Sequence, residues 1–355
     1  MKIMLVSDRA NFSTVDVYRG YCNAFKQEKI DFEFYPLHEY LSLYSADTCF
    51  CQIIAKALIP DNQITHVLFV SGVDVPVYVY DALHSHGIKV GVIATDDPHS
   101  SRPIYFERFK YLDYWFSNEK MTLDLHDERI CYLPVAANNT MPFYEDKNDI
   151  PEKYRHDICF VGSVYPNREK FLEVVAKWAE NNGKDFFFAG HTNYVREGSK
   201  LLDIKHATTI DNNETLKHMQ GSTATLNLSR NIYWHPYLSK NARLMECIPF
   251  SANPRMYESS ICRTLQIIQD DREEYRDYCG DNAFYFQTGG ELIGILDFVF
   301  KSLTQESMDF FTNTMFEKTL QSGCYIHRVS RLLSFIRSRD NKKIIDKMDK
   351  DFQAI

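Results

Sequence analysis

The chain opens on a short apolar run, KIMLVSD, that ends in polar residues and is followed by a helical period from Val15 to Gln27. DFEFYPL comes next, then helical spacing over Ala46–Ala57, the run THVLFVSG, a helical stretch near Val77–His86 and the run KVGVIATDD. DYWFSN and ICYLPVA complete this first series. The runs are nearly continuous Val, Ile, Leu and Phe, the mark of strands buried on both faces. Strands that alternate with helices predict a parallel sheet covered by helices.

Residues 141–156, MPFYEDKNDIPEKYRH, are polar, aperiodic and hold two prolines, which predicts a linker. The series then restarts with DICFVGS, a helix over Arg168–Asn181, DFFFAG, a helix near Glu214–Met219 and TATLNLS. A helix inside PRMYESSIC, the strand TLQII, a helix over Arg272–Cys279, NAFYF and a helix over Glu291–Leu303 follow. The expectation is an α/β protein of two Rossmann-like, doubly wound domains facing across a cleft, residues 1–140 and 157–304. Residues 305–355 read as a helical tail that packs back on the first domain. In such sheets ligands sit at the carboxyl ends of the strands, where loops run into helix N-termini.

Composition changes this picture little. At 355 residues, 45% hydrophobic and 25% charged, the chain is an ordinary globular protein of two domains. The longest apolar runs fall well short of the ~18 residues of a membrane span, and the N-terminus is too polar for a secretory signal. Nine cysteines without a CxxC pair predict free thiols in a reducing cytoplasm and no zinc site. Charge is more informative. The whole net charge of −8 lies in residues 1–150, which disfavours a polyanionic partner there. Between 325 and 355, however, eight Lys and Arg stand against four Asp and Glu, which keeps DNA as an alternative partner.

The chemistry concentrates after strands. In FVGSVYPNR, Gly162 and Ser163 end a strand and Arg168 stands at a helix start, an arrangement that suits a diphosphate. A tight turn with a surface arginine is the plain alternative. In SANPRMYESSICRTLQII, Pro254 opens a helix that places Glu258 where a carboxylate can accept ribose hydroxyls. A helix-dipole partner or exposed salt bridge is the alternative there. Arg230 and Lys240, flanking NIYWHPYLS, are further cations after a strand. There is no GxGxxG and no P-loop. At the end of KVGVIATDDPHSSRP, Asp97 or His99 can act as a base, with Arg102 nearby, although Asp before Pro also favours a turn. Asp8, Arg9, Gly72 and Asp74 lie in loops after the first and third strands and are cleft candidates.

Together FVGS with Arg168, YLPVAAN at 132–138, the N-P-R-x-x-E-x-x-x-C stretch and DDREEYRDYCGDNAFYF resemble the spore-maturation-protein (CgeB-like) family of GT-B glycosyltransferases. The resemblance covers about residues 130–300 and departs at Cys262-Arg263, where the family has Cys-Gly. It implies that Glu258 binds the ribose, and that Asn253, Arg255 and the Met256 backbone approach the diphosphate opposite Gly162, Ser163 and Arg168. It also implies a nucleotide-diphosphate sugar, UDP-sugar first, as co-substrate, with no metal and no other cofactor. In this reading the acceptor, a small molecule, glycan or protein, lies on the first domain and the nucleotide on the second, Asp97 or His99 takes the acceptor proton, and Arg230 and Lys240 meet the departing diphosphate. One alternative is a phage-type DNA glycosyltransferase acting on 5-hydroxymethylcytosine or another modified base. A second is a non-catalytic nucleotide-binding protein.

Overall fold

A computed structural model describes the chain except residues 9–11, 98–106, 140–142, 205–207, 209, 235–243, 247–248 and 354–355. Side chains are also left undescribed at 12–13, 212, 232–234, 244–246 and 343–353. The chain divides into two compact units, Met1–Val135 with Tyr325–Ile355, and Ala136–Cys324.

Unit 1 contains β1 (Ile3–Ser7), α1 (Phe12–Gln27), β2 (Phe32–Pro36), the single turn α2 (Leu37–Tyr40) and α3 (Ala46–Leu58). It continues through β3 (His66–Val70), α4 (Val77–Ser85), β4 (Lys89–Ile93), β5 (Tyr114–Ser117) and β6 (Ile130–Tyr132). The six strands form one sheet in the order β2-β1-β3-β4-β5-β6, parallel throughout. Every residue of β1 and β3 is buried, as expected of strands covered on both faces. Order reverses between β1 and β3, so Asp8 and the loop after Val70 stand at the switch point.

Unit 2 contains β7 (His156–Val161), α5 (Pro166–Asn182), β8 (Phe186–Ala189), α6 (Asn212–Gln220) and β9 (Ser222–Asn227). A short antiparallel pair, β10 (Ile232–Trp234) and β11 (Leu244–Glu246), follows. Then come α7 (Pro254–Ile261), β12 (Leu265–Gln269), α8 (Glu273–Cys279), β13 (Phe284–Phe286), α9 (Gly289–Lys301) and α10 (Gln305–Ser322). The main sheet runs β13-β12-β9-β7-β8, again parallel. Its switch point lies between β7 and β9, which brings the loops after Val161 and Asn227 side by side.

The stretch expected as a linker holds two 3-10 turns, and Ile150 and Tyr154 in it are buried within unit 2. Gly221 fits beneath them because a Cβ there would lie 2.1 Å from the Tyr154 carbonyl oxygen. The helical tail is also divided. α10 packs on α7 in unit 2, whereas the last helix, α11 (Tyr325–Gln353), lies on α1 in unit 1. Gly20 makes that contact: a Cβ there would sit 2.0 Å from the Tyr325 ring. Further along, His66 Nε2 meets Asp340 Oδ2 at 3.1 Å, and Tyr114 donates to the same carboxylate. No described helix is long and apolar enough to cross a membrane.

Candidate functional site

Two helices begin at the unit 2 switch point, and neither is capped by its N-cap side chain. α5 starts after Tyr165 with Pro166 in its first turn, and α7 starts after Asn253 with Pro254. Elsewhere Ser45, Asp211, Thr288 and Thr304 cap α3, α6, α9 and α10 with their side-chain oxygens. Asn is a preferred cap, yet Asn253 turns its amide to Asn227 at 2.7 Å. The first N–H groups of α5 and α7 therefore keep the open, partly positive character that binds anions.

Arg168 lies in the first turn of α5 rather than opening it. Its Nη1 donates to the Ser163 carbonyl at 2.8 Å and its Nε to the Ser229 carbonyl at 3.2 Å, which ties the β7 and β9 loops together. Asn167 adds a bond to the same Ser229 carbonyl at 2.8 Å. Burial lowers the Arg168 pKa to about 10, and the neighbouring Arg272 and Arg230 charges push the same way. The group is still cationic at neutral pH. Arg230 lies 4.8 Å from the centroid of the Tyr165 ring, which Arg168 approaches at 5.4 Å. Arg272, only 7% exposed, donates to the carbonyls of Ser251 (2.7 Å) and Arg230 (3.3 Å). Neither Arg168 nor Arg272 has a carboxylate partner among the described residues. Cations held away from water without counter-ions are costly.

Gly162 is set by a close backbone approach. Its N–H bonds the Ala189 carbonyl at 2.8 Å, and a Cβ on Gly190 would lie 2.0 Å from the Gly162 oxygen. Arg255 reaches the end of β7, with Nε donating to the Val161 carbonyl at 2.9 Å, while its Nη1 pairs with Glu258 Oε2. Glu258 is thus held by an ion pair one helical turn away, its side chain 12% exposed. Its other oxygen has no partner among the described residues. The Met256 side chain is fully buried, leaving its backbone in the first turn of α7 as the part near the open N-terminus. Lys240 lies outside the described residues.

Arg263, where the resembling family has glycine, is left-handed at φ 53, a backbone region that favours glycine. Its guanidinium lies 3.8 Å from the Phe316 ring centroid on α10, a contact that glycine cannot make.

In unit 1, Asp8 follows β1, is 4% exposed, and accepts from the Asp74 N–H at 3.1 Å across the switch point. Gly72 has φ +68, and its oxygen accepts from the Tyr80 hydroxyl at 2.8 Å. Asp97 is 3% exposed at the carboxyl end of β4, and its Oδ2 accepts from the Ser117 hydroxyl at 2.8 Å. Asn118 clamps its backbone with bonds of 2.9 and 3.0 Å. Arg9, His99 and Arg102 lie outside the described residues. Among the described residues no group of three or more His, Cys, Asp or Glu can hold a metal ion.

Sequence reading did not find Arg272, Arg108 or His38. His38 follows β2, and its Nδ1 lies 2.8 Å from the Ser7 hydroxyl at the end of β1; burial holds its pKa below the usual histidine value. The only signal for His38 was its place just past a strand. In the basic tail, four of the cations are engaged within unit 1. Arg328 donates to the Pro134 and Val135 carbonyls, Arg339 and Lys342 pair with Glu128 at 3.1 and 2.8 Å, and Arg331 lies over Tyr132.

No protein-family model matches the sequence, and no curated protein matches it. Solved structures do match the fold. An α-glucosyltransferase in complex with UDP and a 13-mer DNA containing a central A:G mismatch aligns with TM-score 0.65 at 12% identity, covering 95% of this chain and 100% of that one. HepE of Anabaena, in complex with UDP and glucose, gives 0.61 at 9% identity over 95% and 100%. UDP-GlcNAc 2-epimerase of Neisseria meningitidis, bound to UDP-GlcNAc, gives 0.57 at 10% identity over 95% and 100%. The chain has the GT-B fold that these glycosyltransferases and epimerases share. The resemblance to the spore-maturation-protein family rests on its motifs alone.

Proposed function

We propose that this protein is a glycosyltransferase that holds a nucleotide-diphosphate sugar, a UDP-sugar first, on unit 2 and transfers the sugar to an acceptor hydroxyl. The observation that carries this reading is the meeting of Arg168 and Arg272, cations without carboxylate partners, with two uncapped helix starts at the β7/β9 switch point. The UDP-bound structures of the same fold support it. In this reading the diphosphate lies against Gly162, Ser163, Arg168, Asn253 and the Met256 backbone, with Arg230, Arg272 and Lys240 adding positive charge. Glu258, oriented by Arg255, accepts ribose hydroxyls. The acceptor oxygen bonds to the anomeric carbon, the bond from that carbon to the diphosphate oxygen breaks, and the nucleoside diphosphate leaves. The acceptor proton passes to Asp97, held by Ser117, or to His99. Charge on the leaving group is met by guanidiniums and helix N-termini in place of a metal.

The test is calorimetric titration of UDP into the wild type and Glu258→Ala. Affinity is expected to fall by roughly 1–3 kcal/mol in the variant, the loss of a charged hydrogen bond. Equal affinity with the fold intact removes Glu258 from the site. Transfer is expected to persist in excess EDTA; loss there, restored by magnesium or manganese, counts against the metal-free reading.

The DNA-bound α-glucosyltransferase of the same fold favours a second reading, transfer to a modified base in DNA. The tail cations offered for that role are engaged with protein groups in Arg328, Arg331, Arg339 and Lys342. A small molecule, glycan or protein is therefore the preferred acceptor. Sugar transfer only to duplexes that carry 5-hydroxymethylcytosine would reverse that preference.

A further inference from the structure

Arg108 lies in unit 1 near the carboxyl ends of β1 and β3, and is 3% exposed. Its Nη1 donates to the Gly72 carbonyl at 2.9 Å, and its guanidinium lies 5.6 Å from the Tyr80 ring centroid. Nε is buried without an acceptor, and Nη2 has none among the described residues. The Gly72 carbonyl is already satisfied by the Tyr80 hydroxyl at 2.8 Å, so the loop does not need the arginine to close its hydrogen bonds. The buried carboxylate of Asp8 lies in the same neighbourhood, since both charges act on Tyr80, but it accepts from Asp74 N–H and forms no ion pair with Arg108. A guanidinium removed from water with one neutral acceptor is unstable unless another anion completes it.

The loop that presents this group is itself unusual. Ser71 and Gly72 are consecutive left-handed residues, at φ 72 and 68. A left-handed non-glycine residue is costly and persists where its surroundings fix it. A Cβ on Gly72 would meet the Tyr80 hydroxyl at 2.5 Å, so the loop, the tyrosine and the guanidinium hold one another in place.

Resting on the reading of unit 1 as the acceptor side, we propose that Arg108 receives a terminal anionic group, a phosphate monoester or a carboxylate, carried by the acceptor. A guanidinium fork matches either group in plane with two parallel N–H bonds. The deep burial favours a compact terminal group over the phosphodiesters of a duplex, which are bound by many surface cations. The net charge of −8 over residues 1–150 also disfavours a polyanion there.

The test is calorimetric titration of sodium phosphate, and separately of sodium acetate, into the full chain with UDP already added to fill the unit 2 site, as wild type, Arg108→Gln and Arg108→Lys. Wild type is expected to bind at least one of the two anions, and the preferred one names the class. Arg108→Gln is expected to weaken that binding at least tenfold. Equal binding by Arg108→Gln or no binding by wild type overturns the proposal. If Arg108→Gln does not fold, Arg108→Lys keeps the charge and stem but not the fork. It is expected to bind at least threefold more weakly, and unchanged affinity overturns the idea. Displacement of the anion from wild type by a short DNA duplex, but not from Arg108→Gln, also overturns it in favour of a phosphodiester. Titrating UDP into the same proteins separates the two readings, because failure to bind UDP removes the nucleotide site and leaves the Arg108 result standing.

Discussion

The carboxyl ends of the two sheets share a topological device and differ in charge. At the unit 2 switch point, Arg168, Arg230 and Arg272 gather around Tyr165 and Ser229 beside two uncapped helix starts. At the corresponding end of unit 1, the buried charged groups among the described residues include the carboxylates Asp8, Asp97 and Glu119 and the cation Arg108. Both ends come from a parallel sheet that reverses strand order beside its first strand. In the proposed function the fold fixes where a ligand goes and the side chains fix which: the end poor in counter-ions takes a diphosphate, and the one rich in carboxylate takes protons.

This contrast can be broken most severely in unit 1. Asp97→Asn keeps an oxygen for the Ser117 hydroxyl and removes the base. Transfer is expected to fall roughly 10²–10⁴-fold, the usual worth of a general base, with UDP affinity unchanged. Comparable transfer in both proteins would take Asp97 out of the chemistry and leave its buried carboxylate a turn-forming residue. In unit 2, Arg272→Met is expected to do the reverse. UDP affinity should drop by about 1.5–3 kcal/mol, the range for a lost bond to a charged group. Retained affinity in a folded Arg272→Met protein would show that its carbonyl bonds, and not a diphosphate, are its purpose.

The smallest effect sharpens the comparison from outside both sites. Arg263 combines left-handed strain with its contact to Phe316. Arg263→Ala keeps the strain and loses the contact, so stability is expected to fall by about 1 kcal/mol. Arg263→Gly loses both and is expected to lie within about 0.5 kcal/mol of wild type, because the two terms are of similar size and opposite sign. Denaturant midpoints of the three proteins give the answer; equal losses for Ala and Gly would mean that the backbone there is unstrained.

Most strands were legible because burial on both faces leaves an uninterrupted apolar run, as in IMLVS and HVLFV, that no polar position breaks. Helices followed from their period and, at Pro254, from a proline at the start, whereas Pro166 was passed over and its helix read as opening at Arg168. The division of the tail was not legible, because α10 and α11 have the same helical character and differ only in which distant element receives them. Gly323 and Cys324, between them, gave no such hint. Arg168, Arg255 and Glu258 could be picked out because each lies in a short stretch of sequence that joins a strand to a helix start or a helix to a strand. Arg272 and Arg108 could not. Their significance lies in being buried against carbonyls some 20 to 40 residues away, at Ser251, Arg230 and Gly72, and nothing in a local pattern separates such an arginine from a solvated one.

The seating of Tyr325 against Gly20 bears on how the protein is made. Unit 1 is written on both sides of unit 2, which is one uninterrupted stretch. On the ribosome, unit 2 has all its strands while the first sheet still waits for the helix that covers α1. The amino-terminal unit is thus completed after unit 2, and until residues 325–340 emerge, its Gly20 groove and the imidazole of His66 remain without the partners they have in the folded structure.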